Sequence, residues 1–432
     1  MIVPSIDLMS GNAVQLVGGK ERELDAGDPR PLAEKFRLAG EIAVIDLDAA
    51  LSQGSNKEVI TELCQMAACR VGGGIRDVET ALDWLDRGAE KIILGTAARP
   101  DVLRHLPRER VIAALDAVDG EVVVEGWTTA TGRHILERIE ELKPYVGGFL
   151  VTFVEREGRL GGTDEELARK VVEAAGDARV TIAGGVTTAE EVGMLDGLGA
   201  DAQVGMALYK GLMDLGDAVA APLRSDRPDG LWPTVICDER GVALGLAYSD
   251  AESLRHAVET RTGTYHSRRR GLWQKGATSG ATQELLKVDL DCDRDALRFI
   301  VRQAGDGFCH ESTWTCWGED KGLGRLEREL RGRLDDAPEG SYTRRLLEAP
   351  ELLAAKLREE ARELADAESL DEVIWETADV LYFALVAMVR GGATLADVER
   401  ELHRRSLKVS RRAGDAKPDA KSDARPDEKD ER

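Results

Sequence analysis

Short apolar segments alternate with longer charged ones along the first 222 residues. The apolar segments AVIDLDAA, CRVGGGI, KIILGTA, RVIAALD, GFLVTFV, RVTIAGGV and DAQVGMA are typical of β-strands. The stretches between them have the periodicity of amphipathic helices, as in DVETALDWLDRGAE. Strands that alternate with helices predict βα units and a parallel sheet, which is an α/β fold. The length suits a (β/α)8 TIM barrel, which typically takes about 250 residues.

The predicted barrel contains an internal repeat. The segment GGGIRDVETALDWLDRGAEKIILGTA, from residue 72, resembles AGGVTTAEEVGMLDGLGADAQVGMA, from residue 183. Three residue pairs share nearly one period, namely Gly74 and Gly185 at 111 residues, Gly95 and Gly205 at 110, and Asp7 and Asp116 at 109. This period predicts two half-barrels related by a pseudo-twofold axis.

Three further regions follow the predicted barrel, which spans 1–222. The Pro- and Asp-containing stretch 223–229 predicts a linker. Strand-like TVICDERGVALGLAY opens a small α+β domain over 230–318, and helical patterns such as APELLAAKLREEARELADA predict an all-α domain over 324–412. Residues 413–432 consist largely of charged residues, Ala and Pro, and we expect them to be disordered because they cannot bury a core.

Composition narrows the class of protein. The net charge of −22 argues against nucleic acid or an anionic membrane as a main partner. The longest apolar run, VLYFALVAMV, is too short to span a bilayer, and the N-terminus lacks the pattern of a signal peptide. Six cysteines in a chain of 432 residues do not suggest a disulfide framework. We therefore expect a cytoplasmic enzyme.

Two aspartates and two sets of glycines mark a candidate site at the barrel mouth. Asp7 and Asp116 both end apolar strands, and the C-terminal ends of the strands carry the chemistry of such barrels. Two facing carboxylates suit general acid and base roles. Backbone N–H groups could bind phosphate at two symmetric places, which would be formed by Gly73, Gly74, Gly95, Thr96, Gly184, Gly185 and Gly205. The alternative is that these glycines only make tight βα turns.

Three groups of acidic or thiol side chains suit metal ions. In DCDRD, Asp291, Asp293 and Asp295 would share one face of a strand and could bind Mg²⁺. The three thiols of Cys292, Cys309 and Cys316 suit a catalytic Zn²⁺, although ordinary cysteines beside an acidic edge strand would give the same pattern. A second Mg²⁺ site is predicted where two antiparallel helices bring together four carboxylates, those of Glu360, Glu363, Glu376 and Asp379. The alternative for these helices is a solvated charged face.

The barrel segment resembles the histidine-pathway isomerase of phosphoribosylformimino-aminoimidazole-carboxamide ribotide. The resemblance lies in PSIDLMSGNAVQL, VIDLDAA, VGGGIR, ILGTA, VEGWTTATG, AGGV and VGMALYKG, which occur in the family's order over about 1–215. Trp127 separates the segment from the sister cyclase barrel. The resemblance implies an Amadori rearrangement with Asp7 as proton acceptor, Asp116 as proton donor and Thr152 assisting.

The chain departs from that family at three positions, which puts substrate contacts in question. Gln15 stands where the family usually has Arg. The stretch Glu157, Gly158 and Arg159 stands where the family usually has Asp-Gly-Thr.

The middle segment resembles phosphoribosyl-AMP cyclohydrolase over about 230–317, through GLWPTVICD, LWQKGATSG, DLDCDRDAL and CHESTWTC. The resemblance implies ring opening by water, and a Zn²⁺ bound by Cys292 of one subunit and by Cys309 and Cys316 of the other. It therefore implies a homodimer formed through this domain. It also implies a set of residues that hold phosphate and ribose, namely Arg268, Lys275, Thr278 and Ser279.

The helical segment resembles the phosphoribosyl-ATP pyrophosphatase branch of the all-α nucleotide pyrophosphatases, through RGRLDDAPEGSYTRRLL, KLREEARE and ETADVLYFALV. The resemblance implies release of pyrophosphate, with substrate contacts from Ser341, Tyr342, Thr343 and Lys356. The three families act on consecutive phosphoribosyl-nucleotide intermediates, so we expect a trifunctional enzyme of histidine biosynthesis. Two alternatives remain, a barrel that also isomerises phosphoribosylanthranilate and a unit that has decayed to a scaffold.

Overall fold

Eight parallel strands close into a barrel in a computed structural model that describes residues 1–18, 21–124 and 129–410. The strands of this first unit are β1 (Ile2–Met9), β2 (Asn12–Val17), β3 (Glu21–Gly27), β4 (Ile42–Asp46), β5 (Cys69–Gly72), β6 (Lys91–Leu94), β7 (Val111–Val118), β8 (Glu121–Val124), β9 (Thr129–His134), β10 (Gly148–Phe153), β11 (Arg179–Ala183) and β12 (Ala200–Val204). The barrel order is β1-β4-β5-β6-β7-β10-β11-β12, and β12 pairs with β1 to close it. The remaining strands form two antiparallel hairpin extensions, β2–β3 and β8–β9.

The barrel helices lie outside the strands. They are α1 (Arg30–Phe36), α2 (Leu47–Ala50), α3 (Lys57–Met66), α4 (Val78–Asp86), α5 (Pro100–Leu103), α6 (Ile135–Leu142), α7 (Glu165–Ala175), α8 (Ala189–Leu198), α9 (Met206–Tyr209) and α10 (Leu215–Ala220). Polar side chains set their starts: Asp77 caps α4, and Thr188 forms a capping box with Glu191 at α8. The strand–helix alternation predicted from the sequence is confirmed as a TIM barrel.

A buried ionic cluster closes the N-terminal end of the barrel. The Arg70 guanidinium is 2% exposed and contacts Glu41 at 2.5 Å, the Thr181 hydroxyl at 2.8 Å and Asp201 at 3.2 Å. Apolar side chains, among them Ile93, fill the interior next to it. Because a buried charge is costly without partners, these contacts are what allows an arginine inside the barrel.

The second unit is a small α+β fold. Its elements are β13 (Trp232–Cys237), β14 (Ala243–Ser249), α11 (Ala251–Thr260), β15 (Thr264–Ser267), β16 (Gly271–Gln274), β17 (Gln283–Leu290) and β18 (Leu297–Gln303). Four strands form a sheet of order β14-β13-β18-β17, and β15 pairs with β16 in a separate hairpin.

The expectation that Asp291, Asp293 and Asp295 lie along a strand is wrong. Strand β17 ends at Leu290, and the three aspartates lie in the turn that leads to β18. The physical reason is local: Oδ1 of Asp291 accepts hydrogen bonds from the backbone N–H groups of Asp295 and Ala296, at 3.0 and 3.1 Å. This side chain replaces a ladder partner and folds the backbone back.

The third unit is helical. Its elements are α12 (Leu323–Asp335), α13 (Tyr342–Glu348), α14 (Pro350–Asp366), α15 (Leu370–Arg390) and α16 (Leu395–Ser406). Its separate apolar core forms around Leu330, Leu346, Leu353, Phe383 and Val386. Among the described residues, no helix is both long and apolar enough to cross a lipid bilayer. The tail predicted to be disordered, 413–432, lies outside the described residues.

Both later units contact the barrel. Helix α10 packs on α11, where the Arg255 guanidinium pairs with Asp217 at 2.7 Å. The chain after α16 reaches the end of α4, where Asp86 accepts hydrogen bonds from the backbone N–H groups of Val409 and Ser410. One continuous apolar cluster spans the barrel and the second unit. The barrel and the second unit therefore share a packed interface.

Gly216 tests that interface. A Cβ added at Gly216 in α10 would lie 2.6 Å from Cα of Arg255 in α11, so Gly216→Ala forces the backbones of α10 and α11 apart. We expect a loss of about 1–3 kcal/mol in the free energy of unfolding, measured by chemical denaturation. The matched control is Gly197→Ala in α8, where the nearest atom is 3.8 Å away. Since alanine favours helix, the control should be neutral or stabilising by up to about 1 kcal/mol. Equal stability of the two variants would contradict close packing at Gly216.

Candidate active sites

The barrel mouth brings the two predicted aspartates together with further acidic and hydroxyl groups. Asp7 lies near the end of β1, and Asp116 lies in β7 directly beside Thr152 of the paired strand β10. The Asp7 side chain keeps some solvent exposure at the open mouth, but protein atoms surround it. This burial raises the pKa of Asp7 to about 6, against a hydrogen bond from the Ser5 hydroxyl that lowers it. Asp7 is therefore partly protonated near neutral pH.

Glu157, where the sequence departs from the family pattern, shares this mouth. It follows β10, and burial together with the charges of Asp7 and Asp116 raises the pKa of Glu157 to about 7. The neighbouring Gly158 packs against the backbone of β2, with its added Cβ position 3.0 Å from the Leu16 carbonyl oxygen. The site thus contains three carboxyl groups, two of which titrate close to neutrality.

Tyr209 is a second residue that sequence reasoning missed. Its hydroxyl is buried and makes no hydrogen bond to the described residues. Burial and the Asp7 charge both raise the pKa of Tyr209, so the phenol stays protonated. A buried hydroxyl without a partner is a donor available to a ligand. The only sequence signal was its place in VGMALYKG.

The glycines predicted to bind phosphate fall into two structural groups. Gly73 and Gly184 have φ of 93° and 87° and pack on the backbone of Asp46 and Phe153, where a Cβ would lie 2.2 and 2.5 Å from the carbonyl oxygens. Tight turns therefore require glycine at both symmetric positions. No described residue lies within 4 Å of a Cβ added at Gly95, and both Gly95 and Thr96 are exposed.

The other residues predicted to bind substrate at the barrel mouth differ in their surroundings. The Cβ position of Gly205 lies 2.5 Å from Oε1 of Gln15, so this departing residue covers the symmetric glycine. The structure therefore breaks the twofold equivalence of the two glycine sets at Gly205. Gly74 and Gly185 also have left-handed backbones. Trp127 lies outside the described residues.

The acidic turn of the second unit brings its three carboxylates close together. Oxygens of Asp291, Asp293 and Asp295 all lie within 4.8 Å of one another. The hydrogen bond to Asp291 and the charge of Asp293 raise the pKa of Asp295. Three oxygen donors at this spacing fit a hard divalent cation, which would also relieve their repulsion.

Two of the three predicted thiol ligands meet, and the third stays apart. Cys309 and Cys316 lie close enough for each thiol to shift the pKa of the other. Cys292 is exposed and lies next to Asp293, with Sγ 3.9 Å from the carboxylate. No three-ligand cluster of the described residues includes a cysteine. One chain therefore supplies at most an incomplete thiolate site.

The four residues predicted to hold phosphate and ribose lie at different places relative to the thiols. Lys275 is buried near Cys309 and Cys316, and burial lowers the pKa of Lys275. Arg268 stacks over the Tyr248 ring at 5.0 Å. Thr278 and Ser279 lie exposed in the turn between β16 and β17. Only Lys275 is thus placed beside the thiol pair.

The helical unit assembles its carboxylates between α14 and α15. Oxygens of Glu360, Glu376 and Asp379 lie within 4.8 Å of one another, and Glu363 lies close to Glu360. Oε2 of Glu376 is buried and accepts no hydrogen bond from the residues that the structure describes. Burial, followed by the charges of Glu363 and Glu360, raises the pKa of Glu376. An acidic cluster with an unpartnered buried oxygen fits a divalent cation.

Basic and hydroxyl groups border this cluster. Lys356 contacts Glu360 at 2.5 Å and Glu359 at 3.1 Å, so it pairs with a predicted metal ligand in the described structure. Ser341 caps α13, and the Thr343 hydroxyl lies 2.9 Å from that of Tyr382. Tyr342 is half-exposed and contacts Phe383 edge-on.

These arrangements define a chain of three enzyme units, the first of them a (β/α)8 barrel with acid–base groups at its mouth. Family models match the same order: histidine biosynthesis protein over 1–214, phosphoribosyl-AMP cyclohydrolase over 245–318 and phosphoribosyl-ATP pyrophosphohydrolase over 323–406. The chain belongs to the histidine-biosynthesis family and fuses these three domains.

Curated relatives agree with that assignment. An imidazole-4-carboxamide isomerase of Methanocaldococcus jannaschii is 33% identical over 232 residues, which are 51% of this chain and 98% of the relative. Histidine biosynthesis trifunctional proteins of Neurospora crassa and Komagataella pastoris are 39% and 54% identical over 352 and 202 residues, or 79% and 47% of this chain. The chain spans only 38% and 24% of the length of these two proteins.

Asp7 and Asp201 lie at opposite ends of the barrel, and their ionised carboxylates should have opposite effects on the stability of the fold. The folded pKa of Asp7 is above its ordinary value, so ionising Asp7 costs stability as pH rises from about 4 to 6. Asp7→Asn should therefore raise the free energy of unfolding at pH 8 by about 1–2 kcal/mol, and should have no such effect below about pH 4.

Asp201 is the matched control. Burial alone would raise its pKa, but the Met1 amine, Arg179 and Arg70 lower it to about 2. Its stabilisation is complete above pH 4 and is lost as pH falls toward 2. Asp201→Asn should therefore destabilise the protein at pH 8 by about 3 kcal/mol. Denaturation curves of both variants at pH 4 and pH 8 measure this contrast, and destabilisation by Asp7→Asn at pH 8 would contradict it.

Proposed function

We propose that the chain is a trifunctional enzyme of histidine biosynthesis that works in the cytoplasm. The helical unit hydrolyses phosphoribosyl-ATP to phosphoribosyl-AMP and pyrophosphate. The second unit opens the adenine ring of phosphoribosyl-AMP, and the barrel isomerises the formimino ribotide that results. The observation that carries the proposal is the meeting of Asp7 and Asp116 at one barrel mouth. The other two segments of the same chain match the families of phosphoribosyl-AMP cyclohydrolase and phosphoribosyl-ATP pyrophosphohydrolase.

The barrel groups suit an Amadori rearrangement. Asp116 gives a proton to the ribose ring oxygen, so that the C1–O bond breaks and the nitrogen lone pair forms a Schiff base. Asp7 then takes the proton from C2, and the electron pair of that bond moves toward the nitrogen to give an enolamine, which becomes the ketose. The raised pKa of Asp7, about 6, keeps this base close to the operating pH, where proton transfer is most efficient. Thr152 is placed beside Asp116 by strand register.

The phosphate groups of the barrel substrate would lie at the rim. Gly95 and Thr96 are open to an anion on one side of the mouth. On the symmetric side, Gln15 occupies the space beside Gly205, where the family usually has Arg. Its Nε2 donates to the Val14 carbonyl oxygen at 3.0 Å, which leaves one N–H of the amide for a phosphate. We therefore expect the second phosphate to be held by neutral donors.

Zn²⁺ and Mg²⁺ are the cofactors that the donor sets of the second unit favour. Cys309 and Cys316 would hold Zn²⁺ together with Cys292 of a second copy, while Asp291, Asp293 and Asp295 would hold Mg²⁺. A bound Zn²⁺ supplies a water that loses its proton near neutral pH. Lys275 would bind the phosphoribosyl group next to the thiols, because its ammonium is the buried cation there.

The helical carboxylates would hold Mg²⁺ on the polyphosphate. Glu360, Glu363, Glu376 and Asp379 supply the oxygens, and the buried oxygen of Glu376 has no partner among the described residues. The bound ion neutralises charge on the polyphosphate. Lys356, which now pairs with Glu360, would be available to a phosphate once a cation takes that carboxylate. The assembly of all four carboxylates argues against a unit decayed to a scaffold.

One experiment tests the sequence of reactions. The whole chain receives phosphoribosyl-ATP with Mg²⁺ and Zn²⁺, and mass spectrometry follows the products. Asp116→Asn should stop the reaction at the formimino ribotide, with the last step slowed by about 10²–10⁴-fold. Asp379→Asn should stop pyrophosphate release but leave both later steps intact when they receive their own substrates.

The control for the helical site is Asp371→Asn, an exposed aspartate in the first turn of α15. It should leave all three steps unchanged. Full pyrophosphate release by the Asp379→Asn chain would contradict the carboxylate site. Turnover of phosphoribosylanthranilate by the wild-type barrel at a comparable rate would favour the dual-substrate alternative.

A mixing experiment tests the proposed homodimer. Chains with Cys292→Ser and chains with Cys309→Ser should each lack ring opening. In a mixed dimer one site lacks both altered ligands and the other keeps all three. With free subunit exchange, activity should return to about a quarter of wild type. No recovery, despite exchange demonstrated with tagged subunits, would mean that each thiolate site forms within one chain.

A further inference from the structure

An ion pair joins the barrel to the acidic turn of the second unit. The Arg294 guanidinium donates Nε to Oδ2 and Nη2 to Oδ1 of Asp196, both at 3.0 Å. Most of each side chain is shielded, with 26% of Arg294 and 12% of Asp196 exposed. Asp196 belongs to α8 of the barrel, whereas Arg294 stands between Asp293 and Asp295. A two-pronged pair of this kind fixes orientation as well as distance.

Arg294 adds a second support to the turn that the Asp291 side chain forms. Its φ of 65° lies in the left-handed region, which few residues other than glycine adopt without support. Its carbonyl oxygen accepts a hydrogen bond from the backbone N–H of Arg224 at 2.8 Å. Its Nη1 donates to the carbonyl oxygen of Asp291 at 2.6 Å. Two of the three supports, Asp196 and Arg224, therefore lie outside the second unit.

The position of Asp196 is unfavourable except for this contact and one other. It lies in the last turn of α8, where the helix dipole disfavours a negative charge. Two cations offset that cost, the Arg294 guanidinium and the Met1 amine, which lies 2.8 Å from Oδ1. At the other end of the contact, three mutually repelling carboxylates must stay grouped to receive a cation.

We propose that Asp196 is a positioning residue for the neighbouring unit. Through Arg294, it holds Asp291, Asp293 and Asp295 in the arrangement that binds a divalent cation. The barrel is thereby part of the apparatus for ring opening as well as the isomerase. This inference rests on the proposed function of the acidic turn.

Mn²⁺ binding by the full chain tests this role without using activity. Mn²⁺ prefers oxygen ligands, and its binding is followed by electron paramagnetic resonance. All chains carry Glu360→Gln, Glu376→Gln and Asp379→Asn, which disrupt both carboxylate clusters of the helical unit. Asp196→Asn keeps the shape but loses the charge, so Mn²⁺ affinity should fall by about tenfold. Arg294→Lys keeps the charge but loses the two-pronged geometry and should weaken binding similarly.

Asp217→Asn is the matched control, because Asp217 pairs with Arg255 across the same interface without touching the acidic turn. It should leave Mn²⁺ affinity at the parent value, and Asp196→Glu should recover part of the loss. Unchanged Mn²⁺ affinity in Asp196→Asn, or an equal loss of affinity in Asp217→Asn, would overturn the positioning role of Asp196. Neither outcome would affect the assignment of a cation site to the acidic turn. Parent affinity unaffected by Asp293→Asn would overturn the cation assignment as well. Isomerisation should be unchanged in Asp196→Asn, since Asp196 lies at the opposite end of the barrel from Asp7.

Discussion

Closure of the barrel is the constraint on which both ends of the first unit depend. Pairing of β12 with β1, at Ile2 and Ala202, completes a ring of parallel strands that all run in one direction. Their C-terminal ends therefore share one rim, which places Asp7, Asp116 and Glu157 together although more than 100 residues separate the first two. Their N-terminal ends share the other rim, where Arg70 and Asp201 form the buried ionic cluster.

The two rims of the barrel shift the pKa values of their carboxyl groups in opposite directions. At the N-terminal rim, cations surround Asp201 and lower its pKa to about 2, which stabilises the fold. At the mouth, protein atoms and like charges raise the pKa of Glu157 to about 7, which costs stability. Proton transfer requires groups that titrate near neutrality, whereas stability favours carboxylates that stay ionised. The barrel meets both demands by keeping them at opposite ends.

Much of the fold followed from local patterns, and the site followed only in part. The alternation of strands and helices predicted the barrel because each βα unit is local, and the helical spacing of Glu360 with Glu363 predicted a shared face. The alternating aspartates predicted a strand, but Oδ1 of Asp291 folds the backbone into a turn. The contact of Arg294 with Asp196, 98 residues earlier, supports that turn and has no signal in the local sequence. Glu157 and Tyr209 escaped attention for the same reason: their relation to Asp7 exists only after the barrel closes.

The orientation of the barrel mouth relative to the other two units bears on the proposed reaction sequence. The later units contact the barrel through α10, the end of α8 and the segment after α4, away from the rim that carries Asp7. Under the proposed function, a product of the second unit would therefore have to reach the mouth from the side of the barrel that faces away from it. Fusion then guarantees equal numbers of the three catalysts and a fixed distance between them.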